Sequence, residues 1–473
     1  MTDLNLKKQL AYIDRELRDI FDYCRGAGWT KSQTQEIDKS IARYRKDLLR
    51  VAKAAKKGQS KQRAVAEAVT LKSQAGMFLC LLRMHMRRQP RPSFDTVMKA
   101  ASSLSVWKPT KEAVTVYWER NGPKFRMITK VGIHRGAQQL LLKDTLSLMN
   151  VDSEYDYTRK GVGGERAFVR SVCSAMVDGF TWWWTPDIKD CFTSITPKHV
   201  VSKLPVNSSM LRTVVFLPKC AEIKVCKPEE PLALADYLQE RYPDLIESTS
   251  DLSPAERVRH VSVQLAQQGL PQGSMLSPLI ARGFIGRELR QIAGGEELHV
   301  ATIMDDLCIG SCGTEALNGV AKAVKKRLLT HPAGSIEIHD QELMNRTKVD
   351  LLGYRFQYED EGKADPVHVK PNGKRWNRYR QRLLDHLLAC ANGRVGRDRL
   401  EILDELFAEA DRYGRQWYQS TVGWTKKGQF SWQKMLDANT SYVSNFAQHE
   451  PFGWDVLHAH GLIKQEPPVW SKA

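Results

Sequence analysis

The sequence predicts an α+β chain, and three observations predict it. Residues 1–100 carry apolar positions at helical spacing among many basic residues. Residues 107–355 alternate short β-rich runs with turn signals and helices. From 366 to the end the pattern is again helical and basic. At 473 residues and 42% hydrophobic content the chain can build a real core, which excludes wholesale disorder. The net charge of +17 favours a polyanionic partner, nucleic acid or an anionic membrane surface.

The elements follow in order. Ile37, Ile41, Tyr44, Leu48 and Val51 recur every three or four residues, the stripe of a docked helix. Arg43, Arg45, Lys46, Arg50 and Lys53 take its other faces, either as solvated surface or as a basic wall against nucleic acid. Gly58 breaks this helix, a second runs to about Arg88, and Pro90 and Pro92 mark a linker. Ala113–Trp118 and Phe125–Ile128 flank an Asn121-Gly122 turn signal, so a β-hairpin is expected. Residues 134–150 read as helix and Arg159–Glu165 as a Gly-rich loop. Phe180–Pro186 reads as a buried strand, and residues 207–268 as irregular with mixed polar helices. Ser277 as N-cap and Pro278 at the first position start a helix that Gly294-Gly295 ends. Val300–Gly310 reads as two apolar strands meeting at Asp305-Asp306.

The longest apolar run, Ala75–Leu82, is far short of the roughly 20 residues that cross a bilayer, so no membrane partner is expected. The first ten residues contain Asp3, Lys7 and Lys8, so no secretory signal is expected and a cytoplasmic location is. Nine scattered cysteines without a CxxC pair read as reduced thiols.

Three acids carry the chemistry. Asp187 follows a buried strand, and Asp305 and Asp306 sit at a hairpin tip. Carboxylates there need positive compensation. Mg²⁺ supplies it, and two such ions suit phosphoryl transfer. An Asp-Asp pair alone is more often a turn or a cap. Gly269-Leu-Pro-Gln-Gly-Ser-Met-Leu-Ser-Pro278 adds a loop in which Gly273 permits close backbone approach and Gln272 offers an amide.

Together these residues resemble the reverse transcriptases. Asp187-Ile-Lys-Asp-Cys-Phe-Thr-Ser-Ile195 is similar to their motif A, Gln272-Gly-Ser-Met-Leu-Ser-Pro278 to motif B, Ile303-Met-Asp-Asp306 to motif C and Leu352-Gly-Tyr354 to motif E. Asn121–Ile128, Arg135–Gln138 and Gly161–Ala167 resemble fingers segments. The resemblance covers about residues 107–385. It implies a right-hand polymerase: a helical basic N-terminal extension (1–100), fingers (101–180), a palm (181–355) with an insertion around 206–262, and a helical thumb with the C-terminal region (356–473). It implies catalytic Asp187, Asp305 and Asp306, with the Ile188 carbonyl as a further metal ligand. Two Mg²⁺ ions are the implied cofactors, with Mn²⁺ as a substitute. Lys124 and Arg126 become triphosphate contacts, Gln272 and Gly273 contacts to the base pair, and Phe192 a steric gate against the ribose 2′-OH. The implied activity is RNA-directed DNA synthesis from dNTPs on an RNA template, a dedicated noncoding RNA among the candidates, with a DNA product. A homo-oligomer is compatible with it.

Some features depart from the family. Ile303 replaces the usual aromatic residue of motif C, and no lysine in Ser335–Leu343 marks motif D. The 74 residues from Thr196 to Gly269 exceed what a compact palm needs. With no appended nuclease or zinc module apparent, no NAxxH, and Ser277-Pro278 ending motif B, the chain resembles the heterogeneous bacterial enzymes, many associated with anti-phage defence. A template-independent or protein-primed terminal transferase and an inactive nucleic-acid-binding scaffold remain open alternatives. Lastly, Trp376, Tyr379, Leu383 and Leu387 form an apolar helical face, with Arg375, Arg378 and Arg382 beside it to follow a phosphate backbone or to face solvent. Trp417, Trp424, Trp432 and Tyr442 read as core.

Overall fold

The apolar stripe at 37–51 is the inner face of a helix. A computed structural model describes residues 3–379, apart from 27, 55–56, 87–91, 122–123, 150–154, 159–163, 202–203, 205, 248, 250, 294–296, 340 and 360–365, and beyond them Arg382, 412–415 and Trp417. The chain is mixed α and β and helix-rich, with several small sheets. Its opening helices are α1 (Asp3–Gly26), α2 (Lys31–Ala54), α3 (Gln59–Ala68), α4 (Gln74–His85) and α5 (Phe94–Ser103). Ile37, Tyr44, Leu48 and Val51 are buried and Ile41 half-buried, whereas Arg43, Arg45, Lys46, Arg50 and Lys53 are exposed. α4 is apolar on nearly every side and is buried along most of its length, as a central helix must be. Gly76 lets α2 lie close against it, since a Cβ there would come within 2.7 Å of the Tyr44 ring.

The predicted hairpin follows as β1 (Val114–Asn121) and β2 (Lys124–Lys130), antiparallel from Thr115↔Lys130 to Asn121↔Lys124. Its turn residue Gly122 lies outside the described residues, as do Pro90, most of the Gly-rich loop at 159–163, and Gly294-Gly295. The chain continues through α6 (Ile133–Ser147), α7 (Gly164–Val177), β3 (Trp182–Trp184), β4 (Asp187–Ile188), α8 (Cys191–Ser194), α9 (Pro197–Val201) and α10 (Ser208–Met210). α6 shares a core with the opening helices: Arg83 on α4 binds Asp144 on α6 at 2.6 Å, Tyr44 donates to the same carboxylate at 3.1 Å, and Glu16 of α1 completes the buried pairing of Arg83. The segment expected to be irregular holds β5 (Ile223–Val225), α11 (Pro231–Arg241), α12 (Pro243–Glu247) and α13 (Pro254–Gln268), the last opened by a Ser253–Glu256 capping box. β5 lies parallel to β1, with Val114 opposite Ile223. Val114, Val116 and Met127 of the hairpin are buried with Leu234, Leu238, Val258, Val261 and Leu265. The insertion and the hairpin therefore share one core.

Next come α14 (Ser277–Ala293), β6 (Leu298–Ile303), β7 (Asp306–Ser311), α15 (Thr314–Leu329), β8 (Ile338–His339), β9 (Met344–Asn345), β10 (Val349–Leu351), β11 (Tyr354–Tyr358) and β12 (Val367–Pro371). The described residues form two compact units. The first contains Met1–Phe168, Trp184–Ile309 and Glu315–Glu342; in it β4 lies between β7 and β8, and β6 pairs with β7. The second contains Val169–Trp183, Gly310–Thr314 and the described residues from Leu343 on. There β3 pairs with β9, and β10, β11 and β12 form an antiparallel meander.

Residues 367–371 correct the sequence reading, which made everything after 366 helical. Val367 and Val369 are buried while His368 and Lys370 point the other way, a strand period of two. Helix resumes only at 373. There Trp376 and Tyr379 stack with ring centroids 5.4 Å apart, and half-buried Trp417 packs 4.5 Å from Tyr379, so the described part of the expected apolar face stands on observed contacts. Leu383, Leu387, Trp424, Trp432 and Tyr442 lie outside the described residues. The described cysteines are free thiols. Among the described residues no single helix is long and apolar enough to cross a membrane.

Candidate active site

Strand register sets the acidic cluster. In β4, Asp187 stands directly opposite Asp306 of β7 on one side and His339 of β8 on the other. Directly opposed residues place their Cβ atoms about 4.5–5.5 Å apart, and like charges in that position repel. Between β6 and β7 the chain turns through Met304, whose φ of 57° lies in the left-handed region, and this brings Asp305 beside the pair. A methionine there is strained, as is common where a backbone serves a site.

The electrostatics follow. Asp306 keeps an exposed face, and partial burial of its carboxyl, with the Asp305 and Asp187 charges, raises it to about 6. Burial raises Asp305 too; a hydrogen bond from its own backbone opposes this, Asp187 adds to it, and Arg126 opposes it. Cys191 is buried and feels all three carboxylates, so its thiol is held well above its usual range and stays protonated. Among the described residues no group of three or more His, Cys, Asp or Glu side chains is placed to hold a metal ion by itself. The donor set still fits Mg²⁺, which takes one or two carboxylates and completes its shell with water and substrate phosphates. Asp187, Asp305, Asp306 and the Ile188 carbonyl would hold it.

Asp187 and Asp305, though not Asp306, border a cavity of about 490 Å³ that the other sequence-predicted residues share: Lys124, Arg126, Ile188, Phe192, Gln272 and Gly273 line it too. Lys124 and Arg126 are exposed on alternate positions of β2, which gives them a common face. Phe192 lies in α8 and is half-buried.

The glycine loop is fixed from both sides. The Leu270 N–H donates to the Phe192 carbonyl at 2.8 Å, and the Thr129 N–H of β2 donates to the Gln272 carbonyl at 2.6 Å. Gly273 has φ 98°, and a Cβ would lie 2.5 Å from the Thr129 carbonyl oxygen. The close approach expected of Gly273 is thus made to β2. The Gln272 side-chain Oε1 is buried with no hydrogen-bond partner. Ser277 corrects the sequence reading. It is the first helical residue rather than the N-cap, and its hydroxyl donates to the Pro271 carbonyl at 2.8 Å. It ties the loop to the helix.

Sequence reasoning missed part of the wall. Asp190, at φ 48°, pairs with Arg241 at 3.0 Å, and Arg241, Tyr237 and Tyr242 of the insertion line the cavity. Asp190 stood within the motif A segment without a role. Arg241 lay in a stretch with neither motif nor period.

The three arginines expected along a phosphate backbone belong to the second unit and divide into two kinds. Arg375 is half-buried; it donates to the Leu352 carbonyl at 3.0 Å and lies 4.2 Å over the Tyr354 ring. Arg378 and Arg382 are exposed.

No protein-family model matches the chain, and no curated protein matches it. Among solved structures, the telomerase from Candida albicans, in complex with a fragment of telomeric RNA, aligns with 75% of this chain at 10% identity and a TM-score of 0.33. This chain spans 63% of that one, and the likeness is distant.

Proposed function

We propose that this chain is a nucleotidyltransferase of the reverse-transcriptase type, extending a 3′-hydroxyl with dNTPs on an RNA template. One observation carries the reading: Asp187 faces Asp306 across two strands, Asp305 sits at the adjoining turn, and Asp187 and Asp305 line one cavity with Lys124, Arg126, Phe192 and Gln272. In this reading the β1–β2 hairpin belongs to the fingers, β4, β6 and β7 to the palm, and the helix after β12 to the thumb. Mg²⁺ bound at the carboxylates would supply Lewis acidity for phosphoryl transfer. The chain's own residues do the rest. Lys124 and Arg126 bind the triphosphate. The Phe192 ring occupies the space a 2′-OH needs and offers it no hydrogen bond. The loop through Gln272 and Gly273 supports the base pair. The family resemblance extends the proposal to a bacterial anti-phage role.

The test uses the full chain with labelled dNTPs, Mg²⁺ or Mn²⁺, and RNA, with sequencing of any co-purified RNA and of the product. Template-complementary DNA is expected. Asp187→Asn, Asp305→Asn and Asp306→Asn should each nearly abolish incorporation in a folded protein, Asp305 being the more severe of the hairpin pair. Wild-type incorporation by folded Asp187→Asn would sink the assignment, and untemplated homopolymer would convert it to a terminal transferase.

A further inference from the structure

Arg241 ends α11, in the insertion, on a wall of the same cavity as Asp187. One terminal nitrogen meets Asp190 at 3.0 Å. Its Nε is buried and Tyr242 also hydrogen-bonds the side chain, but 25% of the side chain stays exposed. A guanidinium carries five donors in a planar fork that matches phosphate oxygens, so the ion pair with Asp190 leaves capacity unused. Leu234 and Leu238 of α11 are buried in the core that also holds Met127 of β2. Arg241 therefore rides on the same packed body as Lys124 and Arg126. Three cations from two elements border one cavity whose far chemistry is acidic.

We propose that Arg241 is a further polyphosphate-binding residue, contacting the triphosphate of the nucleotide alongside Lys124 and Arg126. The inference rests on the polymerase reading and deepens it. Asp190 occupies one terminal nitrogen, and phosphate oxygens take the donors it leaves. The insertion thereby supplies part of the substrate site.

The experiment is calorimetric titration of the full chain with inorganic tripolyphosphate, without nucleotide or metal, alongside melting curves. Arg241→Ala should weaken binding by about ten- to a hundred-fold, the worth of a charge-assisted hydrogen-bonded contact. Arg241→Lys should recover part of it, as a point charge without the fork. Where Arg241→Ala is destabilised, Arg241→Gln keeps most of the stem and serves in its place. Asp190→Asn breaks the ion pair but keeps the guanidinium, and should bind at least as tightly as wild type. Equal affinity in wild type and Arg241→Ala overturns the inference, as does an equal loss in Asp190→Asn, which would make Arg241 a brace for Asp190. Tripolyphosphate binding that depends on Arg241, in a protein that never incorporates dNTPs, would sustain the phosphate site and remove the polymerase reading instead.

Discussion

Phe192 is half-buried on a four-residue helix, with its ring on the cavity and its carbonyl held by Leu270. Truncating it to alanine should cost less stability than the about 3–5 kcal/mol of a fully buried phenyl. The expected change lies in sugar choice. If the ring's rejection of the 2′-OH is worth about 3–4 kcal/mol, Phe192→Ala should lose roughly a hundred- to a thousand-fold in the ratio of dNTP to rNTP incorporation. An unchanged ratio would return Phe192 to a purely structural role. Asp306 gives a pH signature. Its carboxyl titrates near 6 in the fold, above the ordinary value of 3.8, so the folded chain holds this proton where the unfolded chain has released it. The stability it contributes is present below about pH 4 and is lost as pH rises through about 6. Melting temperature in chelator should fall across that window, Mg²⁺ should restore it above pH 6, and Asp306→Asn should shrink both effects, Asp305 keeping part of each. The acids were legible because motif spacing fixed their neighbours. Arg241 was not, since its role depends on which core its helix joins, and no local pattern records that.

The loop between α13 and α14 shows how far element-level reading reaches. Its composition announced a tight approach, and Gly273 makes one, but the partner is β2, about 140 residues earlier in sequence. Gly273→Ala should cost about 1–3 kcal/mol, because the positive φ and the 2.5 Å approach to the Thr129 carbonyl both resist a Cβ. Detaching the loop should also lower incorporation, and melting together with activity would read both losses. Ser277 carried a cap signal, yet a carbonyl at Pro271 within reach outcompeted the helix N-terminus for its hydroxyl. β5 and β12 were illegible or misread for a related reason. Three- and five-residue strands take their stability from a neighbour, and a short run of alternating residues between helices gives little period to count.

For the whole molecule, the charge of +17 predicts salt-sensitive nucleic-acid binding. Arg378 and Arg382 are exposed, whereas Arg375 is occupied with Leu352 and Tyr354. Neutralising Arg378 and Arg382 together should flatten the slope of log K against log[salt] by at most about 1.4–1.8, at ~0.7–0.9 per lost contact. Melting should change little. Arg375→Ala should instead destabilise by about 1–2 kcal/mol, through the lost ring contact and the freed carbonyl. Binding isotherms at several salt concentrations, with melting curves, separate the two classes. The core that joins the hairpin to the insertion also has a consequence in time. Met127 and Leu265 share it, yet about 140 residues separate their synthesis, which at about 5–20 residues per second is roughly 7–28 s on the ribosome. Until the end of that interval the native cover of the hairpin's apolar face is incomplete. A nascent chain in this state is open to chaperones and to its neighbours, and slower growth at low temperature should favour the soluble product.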